Sequence, residues 1–208
     1  MITSAVEESK RLLLLEDARR AWDGESRANI LRMLAVAGFY AIELINYHGL
    51  RLGPIEMPQV VDTTFHQEAT ALAVAWVMVG VFVRLSLLRG LFPITLRFLS
   101  TAADLVLLTS MLMIADGPKS PLLVGYFVLL AGSALRLDVS LVQFATVGAI
   151  GGYLYVCGYA RWFTDRDLRV PRYHQLMFLL ALAMTGIILG QVVRQSSRGL
   201  GAKEVANP

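Results

Sequence analysis

Residues 173–193 read YHQLMFLLALAMTGIILGQVV, a run of 21 residues without Asp, Glu, Lys or Arg. A bilayer core is about 30 Å thick and takes about 20 helical residues at 1.5 Å each, with every backbone polar group bonded inside the segment. This run meets that requirement, and five others resemble it at approximately 30–50, 66–88, 91–115, 121–137 and 139–160. The fourth is the shortest, and the third carries Asp104. Turn formers or charges separate them: Gly53-Pro54 to Pro58, Arg89-Gly90 to Pro93, Asp116-Gly117-Pro118 to Pro121, Arg136-Leu137-Asp138, and Asp165 to Pro171. The sequence predicts an all-α integral membrane protein with six transmembrane helices in one bundle.

Composition agrees. Of 208 residues, 56% are hydrophobic and 17% charged, against roughly 45–50% and 25% in soluble domains. The runs leave no stretch for a separate soluble catalytic domain, so no enzymatic activity is expected. The net charge of +3 is spread between apolar runs, which fits a lipid surface and gives no nucleic-acid stripe. With one cysteine, Cys157, the chain has no internal disulfide and no Cys-based zinc site. No phosphate loop, metalloprotease or nucleophile-elbow motif is present.

Positive loops stay in the cytoplasm. With the N-terminus inside, 13 of the 19 basic residues fall on the inner side, and Arg51, Lys119, Arg161, Arg166, Arg169 and Arg172 fall outside. Both termini are therefore expected in the cytoplasm. No cleavable signal peptide is expected, because the first apolar span begins about 30 residues in. Ser4-Ala5-Val6-Glu7 has the form of a capping box. An amphipathic helix is expected over 7–22, with Glu16 and Arg20 as an i,i+4 pair and leucines at 12–15, until Gly24 interrupts it. The division expected is a cytoplasmic juxtamembrane amphipathic helix at 1–28, a six-helix membrane domain at 29–194 and a flexible cytoplasmic tail at 195–208.

Ionisable groups inside spans cost about 2.5–3.5 kcal/mol or more at mid-bilayer and need partners. Glu43 shares one helical face with Tyr40, Asn46 and Tyr47, so this face is expected to look into the bundle. Asp104 is expected to bond across helices, with Thr101, Gln143, Thr146 and Gln191 as candidates. Three histidines, His48, His66 and His174, each follow an aromatic residue and fall at the outer ends of spans. Either they are interface anchors, or they converge on zinc or copper, with Glu43, Asp62 or Glu68 completing the shell. The second reading needs span six to pack against span one. Gly148-Ala149-Ile150-Gly151-Gly152 allows a close helix approach, within the chain or between copies.

The stretch Thr101-Ala102-Ala103-Asp104-Leu105-Val106-Leu107-Leu108, then Asp116-Gly117-Pro118-Lys119-Ser120-Pro121-Leu122, then a span ending Ala134-Leu135-Arg136-Leu137, resembles the membrane input region of bacterial sensor kinases. The nearest parallels are the six-helix pilus-regulating and quinone-sensing histidine kinases and the planctomycete-type membrane Ser/Thr kinases. In the quinone-sensing type, a short outer Gly-Gly-x-x-Asn-Pro-Phe loop is tied to the response. Gly117 and Pro121 match it, and Asp116, Ser120 and Leu122 depart from it. The resemblance implies a bacterial inner-membrane location, a quinone or other small ligand near Gly117 and Pro121, and an output domain. About 15 residues follow the last span here, so output would pass through a protein partner or a part outside this sequence.

The function expected is a membrane sensor or scaffold that binds a small ligand, quinone or metal in or at the outer side of the bundle and signals to, or assembles with, a partner or a second copy. The candidate ligand-binding or polar-core residues are Glu43, Asn46, Tyr47, Asp104, Gly117 and Pro121. The alternatives are a metal- or cofactor-binding membrane protein built on the histidines, and a small proton-coupled transporter using Glu43 and Asp104.

Overall fold

The computed structural model describes the backbone of residues 2–52, 55–57, 61–89, 94–164 and 168–205, and the side chains of residues 19, 22–49, 61–89, 95–164 and 168–196. Its elements are α1 (Ile2–His48), a hairpin of β1 (Leu50–Leu52) and β2 (Ile55–Met57), α2 (Thr63–Leu88), α3 (Ile94–Ile114), two 3-10 turns (Gly117–Lys119 and Pro121–Leu123), α4 (Val124–Ala134), α5 (Val139–Trp162) and α6 (Arg172–Val205). Among the described residues, five helical stretches are long and apolar enough to cross a membrane: Trp22–His48, Thr63–Leu88, Thr95–Ile114, Val139–Trp162 and Arg172–Ser196. The sixth expected span is shorter, because 3-10 turns replace its start and α4 keeps only 11 residues, about 16 Å of α-helix.

Local chemistry sets several boundaries. Asp62 caps α2 by accepting from the Phe65 N–H at 2.7 Å, and Asp138 caps α5 by accepting from the Ser140 and Leu141 N–H groups. Gly49, at φ +71°, ends α1 in the left-handed conformation that terminates helices. The hairpin that follows is antiparallel and pairs Leu50 with Met57, Arg51 with Glu56 and Leu52 with Ile55.

The expected break at Gly24 is absent, and α1 runs unbroken from Ile2 to His48. Gly24 is instead a point of close approach: a Cβ there would lie 3.2 Å from both Arg136 Cα and Leu135 O. The expected boundary at residue 28 therefore falls inside one continuous helix. At the other end, α6 continues to Val205, so most of the segment expected as a flexible tail is helical. The side chains of the capping box and of the Glu16 and Arg20 pair lie outside the described residues.

The helices pack in the sequence α1 on α2, α2 on α3, α3 on α5 and α5 on α6, with α4 set among α1, α3, α5 and α6. Leu105, Leu108 and Leu112 of α3, Tyr126 and Leu130 of α4, Ala149, Tyr153 and Val156 of α5, and Leu182 of α6 form the apolar core. The small residues of α5 allow this packing within the chain, since a Cβ at Gly148 would collide with Leu105 and one at Gly152 with Thr109 and Tyr126. Outward positions are apolar, among them Met78, Phe82, Val147 and Leu176, while Glu25, Arg32, Glu43, Asp104 and Arg136 are buried. Apolar outside and charged inside is the distribution that a lipid bilayer imposes and water does not.

Candidate ligand cleft and buried charge network

Asp104 lies at the middle of α3 and is 4% exposed. Its partner is not among the four candidates expected from the sequence. Arg32 of α1 donates to it through both arms, Nε to Oδ1 and Nη2 to Oδ2, each at 2.7 Å. This fork-to-fork pairing is the strongest geometry open to a guanidinium and a carboxylate. Arg32 Nη1 also donates to Asn29 Oδ1 at 2.6 Å, and Asn29 Nδ2 donates to the Gly80 carbonyl at 3.2 Å. The Trp76 indole N–H gives Asp104 Oδ1 a further bond at 2.8 Å. Asp104 thus ties α1, α2 and α3 together.

A second buried pair sits nearer the N-terminal half of α1. Glu25, fully buried, accepts from Arg136 Nη2 at 2.8 Å, and its Oε2 lies 2.7 Å from Arg136 Nε without hydrogen-bond alignment. Arg136 also donates to Thr101 Oγ1 at 2.6 Å and Ser100 Oγ at 3.2 Å. The close approach at Gly24 brings the α1 backbone to the α4–α5 turn, where Leu137 adopts a positive φ of 53°. Arg32 and Arg136, both among the 13 basic residues expected on the inner side, are buried and paired with carboxylates.

At the opposite end of α1, Glu43 is 6% exposed. Its Oε1 accepts from His66 Nδ1 at 2.8 Å, and its Oε2 is buried without a hydrogen-bond partner. Tyr47 stacks on the His66 ring with centroids 3.9 Å apart, and Tyr40 bonds Thr70 at 3.1 Å. Glu43 lines a cleft of about 330 Å³ between α1, α2, the end of α3 and the segment after it. Asn46 and Pro121 also line it, with Phe39, Phe65, Trp76, Asp116 and Ser120. Gly117 is buried within this segment at φ +55°, while Asp104 does not line the cleft and bonds to its wall residue Trp76. A smaller void of about 40 Å³ lies beside Asp104, Thr101 and Arg136, with room for about one water.

The three histidines do not meet. His48 and His66 have ring centroids 6.5 Å apart, but His174 sits against Tyr173 on α6, which packs on α4 and α5 and makes at most marginal contact with α1. Asp62 is engaged as a helix cap. Among the described residues no three His, Cys, Asp or Glu side chains converge as metal ligands.

The sequence reading passed over Trp76, Glu25 and Arg136. Trp76 looked like one apolar residue among many, and its indole N–H carries no sequence signal. Glu25 and Arg136 are 111 positions apart, and each stood in a charged segment where a solvated side chain is the ordinary expectation. Apolar helices long enough to cross a membrane, with ion pairs buried among them, are the features of a multi-pass membrane protein. No protein-family model matches the chain, and neither a curated protein nor a solved structure shows significant similarity to it.

Proposed function

We propose that this chain is a membrane sensor or scaffold module that binds a small, largely apolar ligand in the cleft and passes occupancy along α1 to a protein partner. One observation carries this reading: a cleft of ligand size is lined by Glu43, a buried carboxylate whose Oε2 has no hydrogen-bond partner. Buried polar atoms without partners are rare and costly in folded proteins, and a ligand that donates to Oε2 would remove the cost.

The route to a partner is physical. Trp76 presents its ring to the cleft and its N–H to Asp104, and Asp104 holds Arg32 on α1. A ligand that tilts the indole alters the bonding of Asp104, and α1 carries the change toward Glu25 and beyond the membrane. The distribution of Lys and Arg supports cytoplasmic termini. The cleft then lies in the outer half of a bacterial inner membrane, as the resemblance to sensor input regions implies.

The test is thermal unfolding of the full chain in detergent micelles with ubiquinone-1, indole and phenethylamine as probes. The reading predicts that at least one probe raises Tm by several degrees, and that Ala73→Phe, which fills the cleft wall, abolishes the rise. If no probe shifts Tm, or if shifts persist in Ala73→Phe, the cleft is not a binding site.

A further inference from the structure

Taking the cleft as a ligand site, we propose that its ligand is an organic ammonium ion, a primary amine on a short apolar body, whose N–H groups donate to Glu43 Oε2. A carboxylate accepts hydrogen bonds and donates none. Oε1 is already satisfied by His66 Nδ1 at 2.8 Å, and Oε2 has no partner. Any group that bonds Oε2 is therefore a donor. A quinone offers only carbonyl acceptors and cannot supply it, and a carboxylate or phosphate ligand would place like charge against Glu43.

Charge points the same way. Among the described residues lining the cleft are two carboxylates, Glu43 and Asp116, and no Lys or Arg. The buried guanidinium of Arg32 is engaged by both oxygens of Asp104. The walls include Phe39, Tyr40, Phe65 and Trp76, and aromatic faces attract desolvated organic cations through their quadrupoles. A volume of about 330 Å³ is at the small end of ligand pockets, which limits the body to roughly one ring or a short chain.

The experiment is calorimetric titration of the full chain in lipid nanodiscs, with empty nanodiscs subtracted, using phenethylamine hydrochloride at pH 7. Matched probes are 2-phenylethanol, 3-phenylpropionate and ubiquinone-1. The proposal predicts saturable binding of the amine, about 10-fold or more tighter than the alcohol, because both donate to the carboxylate but only the ammonium adds the attraction of opposite charges in a site partly screened from water. It predicts no binding of the anion. Glu43→Gln should weaken the amine about 10-fold or more, and Asp116→Asn, at an exposed position, by about 2-fold. If Glu43→Gln loses its helical circular dichroism, the amine-to-alcohol ratio in the unaltered chain and its loss in Ala73→Phe decide the matter. Should the alcohol, the anion or the quinone bind as tightly as the amine, the ammonium assignment is overturned while the cleft remains a site. Absence of binding by all four probes, or amine binding that survives Ala73→Phe, overturns both.

Discussion

The indole N–H of Trp76 lies 2.8 Å from Asp104 Oδ1, while the same ring walls the cleft that contains Glu43. One side chain therefore joins two of the three buried polar clusters, those of Asp104 and Glu43. Its ring forms part of the cleft wall, and its N–H is part of the bonding that holds Arg32 on α1.

The Arg32 and Asp104 pair predicts an asymmetry between single and double substitutions. Removing one partner leaves a buried charge uncompensated, at about 3–5 kcal/mol, whereas replacing both by apolar residues is often close to neutral. Asp104→Leu alone should lower Tm in micelles markedly, and Arg32→Met with Asp104→Leu should recover most of the loss. Equal loss in the single and double variants would mean that the pair does not hold the helices together.

Two glycines of α1 should respond in opposite directions. Gly38 has open space around it, so Gly38→Ala gains helix propensity and stabilises by about 1 kcal/mol. Gly24 faces the Leu135–Arg136 backbone at 3.2 Å, so Gly24→Leu pushes α1 off that turn and costs about 2 kcal/mol or more. Unfolding measurements on both variants check the pair, and a harmless Gly24→Leu would contradict the observed packing.

How much was legible in the sequence follows from range. Apolar runs reveal spans because the bilayer acts on each helix separately, and the face formed by Tyr40, Glu43, Asn46 and Tyr47 follows from helical period alone. All four turn toward α2 or the cleft. Asp104 stood out by its cost, but its partner lies 72 positions away, and nothing local distinguishes Arg32 from a juxtamembrane anchor. Gly24 misled for a related reason. Glycine weakens an isolated helix, yet here the missing Cβ allows a backbone contact that only the assembled bundle contains. The histidines show the same limit, since their convergence depended on which helix neighbours α6.

The orientation rests on charge and is open to direct labelling. In a Cys157→Ser background, Arg198→Cys should react with an impermeant maleimide only from the cytoplasmic side, and Glu56→Cys only from the opposite side. The reverse pattern would invert the cleft to the inner half and remove the proposed direction of signalling.

The central claim, that the cleft binds a ligand and that Trp76 reports it to Asp104, is tested most directly by the fluorescence of Trp76 alone. Trp22 and Trp162 are exposed, so Trp22→Phe with Trp162→Phe leaves a single emitter at the junction. Titration with phenethylamine should give a saturable change in its emission maximum or intensity that Ala73→Phe abolishes and Glu43→Gln shifts to higher concentration. A change that grows linearly without saturation, or one that Ala73→Phe leaves intact, would contradict the account.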